Sequence, residues 1–162
     1  METSAASRLC LSCGMCCNGV LFEIVKLQPE DSIRELEKLG MKVNRKKTEP
    51  YFKQPCSFLN DCTCTIYTQR PTRCRGFECS QLKQLALGEI TELEAQAKIN
   101  EARRQVDQIK IMLATAGDTM TADSLTERLA RVFAEQPDET LKSAIGELKL
   151  YLARHFRTLG NQ

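Results

Sequence analysis

The second half of the chain is patterned for helices. Thr91 and Glu94 have the spacing of a capping box, and behind them Ala95, Ile99, Ala102, Val106, Ile109, Leu113 and Ala116 recur in alternating steps of four and three. Such steps keep one apolar seam on a single face, so they predict one long amphipathic helix. Gly117 and Asp118 interrupt it. Ser124 and Glu127 repeat the capping-box spacing ahead of Leu125, Leu129 and Val132. Pro137 and Asp138 punctuate again, and Leu141, Ile145, Leu148, Leu152, Phe156 and Leu159 form a third stripe. Three such helices joined by short turns bury their stripes most simply against one another, as an antiparallel bundle, or against the first half of the chain. A coiled coil with a separate partner is the competing reading, which the shortness of the turns disfavours.

The first half alternates shorter signals. A β-branched and aromatic run over residues 20–25 predicts a strand. Pro29, Glu30 and Asp31 suit a first helical turn, Ile33, Leu36 and Leu39 are spaced for one face, and Gly40 ends the helix. Residues 41–50 are basic at Lys42, Arg45, Lys46 and Lys47. Without regularly interleaved aromatics they read as a solvated loop rather than a nucleic-acid patch. Apolar residues return over 51–58. Leu59, Asn60, Asp61 and Cys62 have turn chemistry, residues 64–67 read as a short extended segment, and Pro71 favours a turn or the first position of a helical turn leading into residues 72–77. The fold class expected is α+β: a small cysteine-rich metal-binding domain with short strands over residues 1–85, followed by a three-helix region over 86–162.

Composition changes this picture through one residue type. The chain has 162 residues, enough for one domain or for one small domain with a helical appendage, and its formal net charge of +2 predicts no partner. The N-terminus lacks the apolar core of a secretory signal, and no run reaches a membrane span, so the expectation is a cytoplasmic protein with no membrane association. Nine cysteines nevertheless lie before residue 80 and none after it. In a reducing compartment a dense set of thiols points to metal or catalysis before disulfides, and an odd number leaves one over in any disulfide framework. The single histidine, His155, stands in the third stripe with no acid–base partner nearby in sequence and reads as helix surface. There is no Gly-rich phosphate loop, serine nucleophile elbow or His-Glu zinc-protease motif, so no catalytic machinery is visible and the balance is against an enzyme.

The spacing of the thiols carries the chemistry. Cys10, Cys13, Cys16 and Cys17 occupy eight residues, and Cys56, Cys62, Cys64, Cys74 and Cys79 follow. A C-x-x-C pair lets both sulfurs of a tight turn reach one metal ion, and Gly14 helps that bend. Cys16 and Cys17 are adjacent, and neighbouring side chains of an extended chain point apart, so they are expected to serve different metals or different edges of one cluster. Four sulfurs satisfy only one tetrahedral ion, which requires ligands from the second group. Two zinc sites, three zinc ions bridged by nine thiolates, or iron–sulfur clusters all fit, and all leave negative charge. Arg70, Arg73 and Arg75, flanking Cys74, are placed to offset it, with plain surface charge as the alternative. A thioredoxin-like redox pair would leave five thiols unexplained.

The full pattern, Cys10-x-x-Cys13-x-x-Cys16-Cys17 followed by Pro55-Cys56, Cys62-x-Cys64-x-Ile66-Tyr67, Arg70-Pro71, Cys74-Arg75, Phe77 and Cys79, resembles the CxxCxxCC, or YkgJ-like, cysteine-cluster family over about residues 10–80. The resemblance implies a zinc- or iron-chelating domain whose ligands are the nine cysteines. Tyr67, Arg70, Pro71, Arg75 and Phe77 carry over as motif residues without an assigned role. Related clusters occur in flagellin lysine-N-methylases. The expected function is therefore metal binding with a structural or interaction role, the C-terminal helices offering a docking surface for a protein partner. The alternatives are an iron–sulfur protein in electron transfer or protein lysine methylation, and metal storage or delivery.

Overall fold

The computed structural model describes residues 4–45, 49–135 and 138–157. The fold is α+β, with seven α-helices and two small antiparallel sheets among the described residues. These residues form two compact units: Leu11–Phe77, and Glu78 onward together with the N-terminal stretch ending at Cys10.

In the helical unit the apolar stripes become packed faces. Helix α1 (Ala5–Cys13) begins here, and Arg8 makes a two-pronged ion pair with Glu92. Helices α4 (Ser80–Ala86), α5 (Glu92–Thr115), α6 (Leu125–Glu135) and α7 (Glu139–His155) follow. At the start of α5, Glu94 N donates to Thr91 Oγ1 at 3.2 Å and Thr91 N donates to Glu94 Oε2 at 2.7 Å, which is the capping box its sequence predicts. Ala95, Ile99, Ala102, Val106, Ile109 and Leu113 are buried along one face, against which α4, α6 and α7 pack. Ala116 departs from the expected stripe. It is the exposed cap residue, because the helix stops before the face comes round again.

Ser124 and Glu127 close a second reciprocal box. Behind it α6 buries Arg128 with Val132, while Leu125 and Leu129 are only half-buried. Asp138 caps α7 by accepting from Thr140 N and Leu141 N, and Leu141, Leu148, Leu152 and Phe156 are buried, with Ile145 partly so. Pro137 and Leu159 lie outside the described residues. Helix α4 was not foreseen, since seven residues are too few to display a stripe. Its Gln81 is 1 % exposed, and Gln81 Nε2 donates to the His155 carbonyl at 2.5 Å. Among the described residues no helix is long and apolar enough to cross a membrane.

The other unit is built on β1 (Ile24–Lys26), β2 (Val43–Asn44) and β3 (Tyr51–Lys53), antiparallel in the order β1-β3-β2. Phe52, opposite Val25 and Val43 on the central strand, is 3 % exposed and forms a core with Leu27, Leu36 and Met41. Helix α2 (Ile33–Lys38) covers part of it through Leu36. Three expectations shift here. The first strand occupies Ile24–Lys26 rather than 20–25. The helix starts after Ser32, whose Oγ accepts from Glu35 N, so Pro29 to Asp31 form a turn outside it. Leu39 points to solvent at 42 % exposure, being one residue past the helix end.

The basic segment 41–50 contains β2 as well as loop, and Arg45 pairs with Glu37. Lys46 and Lys47 lie outside the described residues. Further on, β4 (Leu59–Asn60) and β5 (Thr63–Cys64) make a hairpin with a two-residue loop, Asp61 adopting the left-handed region at φ 54° that aspartate tolerates. Only Cys64 of the expected extended segment 64–67 is strand. A 3₁₀ turn at Tyr67–Gln69 and helix α3 (Thr72–Gly76) complete the unit.

Candidate metal centre

Local structure sets the direction of each thiol. Cys13 is the last residue of α1, which also carries Cys10, so this C-x-x-C is helical rather than the tight turn its spacing suggested. The turn comes one residue later. Gly14 has φ 67°, and its carbonyl accepts from Cys17 N and Asn18 N, both at 2.9 Å. Met15, fully buried, anchors the loop from inside, leaving Cys16 and Cys17 half-buried beside it.

Two contacts join this loop to the second cysteine group. A Cβ placed on Gly14 would stand 3.1 Å from Cys62 Cα, and Cys56 N donates to the Cys17 carbonyl at 2.7 Å. Sequence spacing held no sign of either contact, because both depend on the backbone of the second cysteine group, at Cys56 and at the β4–β5 hairpin, meeting the N-terminal loop. Cys62 lies at the tip of that hairpin, with its thiol 3.8 Å from Asp61 Oδ1, and Cys64 lies on β5 opposite Leu59.

Cys56 and Cys74 pack against the core formed by Leu27, Leu36, Met41 and Phe52. Burial pushes the Cys56 thiol up, the Phe58 N–H opposes it, and Cys64 adds to the rise. Cys74 is driven further. Burial above all, then Cys56 and Cys64, push it up to about 12 against the opposing charge of Arg70. Thiols so placed are reluctant to ionise by themselves, and a bound cation is what reverses such a preference. In the helical unit Cys79 occupies the cap position of α4. Burial raises its thiol, the Leu82 and Gln81 N–H groups oppose, and Cys10 contributes a rise.

The three arginines have separate surroundings. Arg70 is held by donating Nε to the Tyr67 carbonyl at 2.8 Å and by lying 3.6 Å over the Tyr67 ring, and its charge acts on Cys74. Arg73 and Arg75 are exposed, and their charges act on Glu49 and Asp31. Phe77 packs edge-on to Phe22 at 4.9 Å. His155 is partly buried, its ring 4.5 Å from that of Tyr151.

None of the nine cysteines forms a disulfide, and all are half-buried. Soft sulfur donors in this number suit zinc and iron–sulfur clusters alike, so the donor set fits the metals such a pattern implies. Among the described residues, however, no three Cys, His, Asp or Glu side chains are already gathered closely enough to hold an ion.

Fold and thiol set together define a cysteine-rich α+β protein of the metal-chelating kind. The chain matches the CxxCxxCC family model, described as a "putative zinc- or iron-chelating domain", over residues 9–112, and it belongs to that family. The match runs past the last cysteine and through most of α5. No curated protein and no solved structure shows significant similarity to the chain.

Proposed function

We propose that the protein binds zinc or iron through its cysteines and uses the metal to hold its fold, serving as a structural or interaction module of the cytoplasm rather than as an enzyme. The observation that carries this reading is the packing of Cys56 and Cys74 against one small core, with Cys62 against the turn that follows Cys13. Cys10, Cys13, Cys16, Cys17, Cys56, Cys62, Cys64, Cys74 and Cys79 would supply the ligands. The metal would act as a closed-shell or cluster template, contributing folding free energy directly. Leu93, Ile111 and Leu150, exposed on α5 and α7, support the docking role given to the helices.

Elemental analysis of anaerobically purified protein tests the reading. Colourless protein with stoichiometric zinc is the expected result. Brown protein with acid-labile sulfide moves the assignment to an iron–sulfur cluster, and variable, exchangeable metal moves it to storage or delivery. Cys13→Ser and Cys64→Ser should each lower the bound metal, whereas His155→Ala should leave it unchanged. Full occupancy in either cysteine variant removes that residue from the ligand set.

A further inference from the structure

Asp31 stands in no cysteine motif, yet it is tied to the helix that carries Cys74. Helix α3 is five residues long, too short to hold itself by its own hydrogen bonds, and the residue at its cap is Pro71, which has no side-chain acceptor. Asp31 supplies the missing cap from 41 positions away. Its Oδ1 accepts from both Thr72 N and Thr72 Oγ1 at 2.8 Å, and its Oδ2 accepts from Gln28 N at 2.8 Å.

Gln28 directly follows the buried Leu27, so one carboxylate spans from the core to the first residue of α3. The Asp31 N–H donates in turn to the Gln28 carbonyl at 2.9 Å, which fixes the backbone that bears the carboxylate. Cys74, two residues beyond Thr72, packs on that same core. Rotation of so short a helix carries its side chains with it, so whatever fixes Thr72 also fixes the direction of the Cys74 sulfur. Charge-assisted hydrogen bonds to backbone N–H groups are the stronger kind, which suits a pin of this sort.

We propose that Asp31 is a positioning residue of the metal centre: by capping α3 at Thr72 it sets Cys74 in the orientation in which it binds metal. The inference rests on the metal-binding reading above, and the experiment separates the two. Full-length protein is loaded with zinc and treated with iodoacetamide, and the labelling rate of each cysteine is followed by mass spectrometry, with and without a chelator. In the unaltered protein, zinc should protect Cys74 together with Cys56 and Cys64.

In Asp31→Ala, Cys74 should label about tenfold faster in the presence of zinc, while Cys56 and Cys64 stay protected. A helix cap with a purely structural role would instead raise all three rates together. Thr72→Ala, which keeps the backbone N–H bond and loses the hydroxyl bond, serves if Asp31→Ala fails to fold, and should give a smaller rise confined to Cys74. Protection of Cys74 equal to that of the unaltered protein in the folded variant, or a uniform rise at all three cysteines, overturns the role of Asp31 and leaves metal binding standing. Absence of zinc protection at every cysteine of the unaltered protein overturns both.

Discussion

Gly14 is the residue on which the N-terminal cysteine loop turns, and its requirement is twofold. At φ 67° an L side chain is strained by roughly 1–2 kcal/mol, and its Cβ would press on the Cys62 backbone at 3.1 Å, where no flexible side-chain end can give way. Gly14→Ala should therefore destabilise the unit Leu11–Phe77 by about 2 kcal/mol and weaken metal binding with it, as read by urea denaturation and zinc titration. Unchanged stability would mean that the loop and the hairpin separate without cost. The glycine stood out in the sequence as a help to the bend after Cys13, but the surface it meets did not, since the hairpin is almost fifty residues away along the chain.

At the scale of elements, the helices show where pattern suffices. The buried face of α5 follows its stripe residue by residue until the final Ala116, because a long helix repeats its signal often enough to be read. Helix α6 shows what pattern omits. It buries Arg128, whose Nε donates at 2.6 Å to Asp118 just beyond α5, and Arg131 donates to the same carboxylate at 2.9 Å. The Arg128 and Asp118 side chains are 5 % and 3 % exposed, so the Arg128 charge depends on Asp118, while Asp118 is held by both arginines.

Arg128→Ala would leave the buried Asp118 carboxylate with Arg131 alone as its cation, and should cost about 2 kcal/mol in the thermal or chemical unfolding of the helices. Burial alone would raise the Asp118 carboxyl, but the hydrogen bonds and charges of Arg128 and Arg131 outweigh it and hold the group below its ordinary 3.8. A depressed carboxylate contributes stability that is complete above its unfolded pKa and lost as pH falls through the folded one. Helical circular dichroism should hence begin to fail below about pH 4, and Asp118→Asn should be less stable at neutral pH with a flatter acid limb.

For the whole molecule, the distribution of apolar burial matters more than its total. The unit Leu11–Phe77 relies on Met15, Leu21, Leu27, Leu36, Met41 and Phe52, whereas the helical unit buries continuous stripes on α5 and α7. A segment of that size with strands of two or three residues has a small core for the entropy it must overcome. Metal removal should accordingly loosen residues 11–77 first. Hydrogen–deuterium exchange with and without chelator should show faster exchange in β1 to β5 and α3, with α5 and α7 little altered. Equal protection in both conditions would mean that the unit stands without a metal.

The sequence by itself determined the α+β class, the long helix and its capping boxes, and the thiol-rich chemistry of the first half. Each of these rests on residue type and short-range spacing, which act within a few turns of chain. Tertiary structure decided that Cys13 ends a helix and that Gly14 meets Cys62. It also placed Arg70 on Tyr67, with its charge acting on Cys74, and put a carboxylate from before α2 at the cap of α3. The Gly14–Cys62 and Asp31–Thr72 pairings join positions far apart along the chain, and strands of two or three residues are too short to announce them in the sequence.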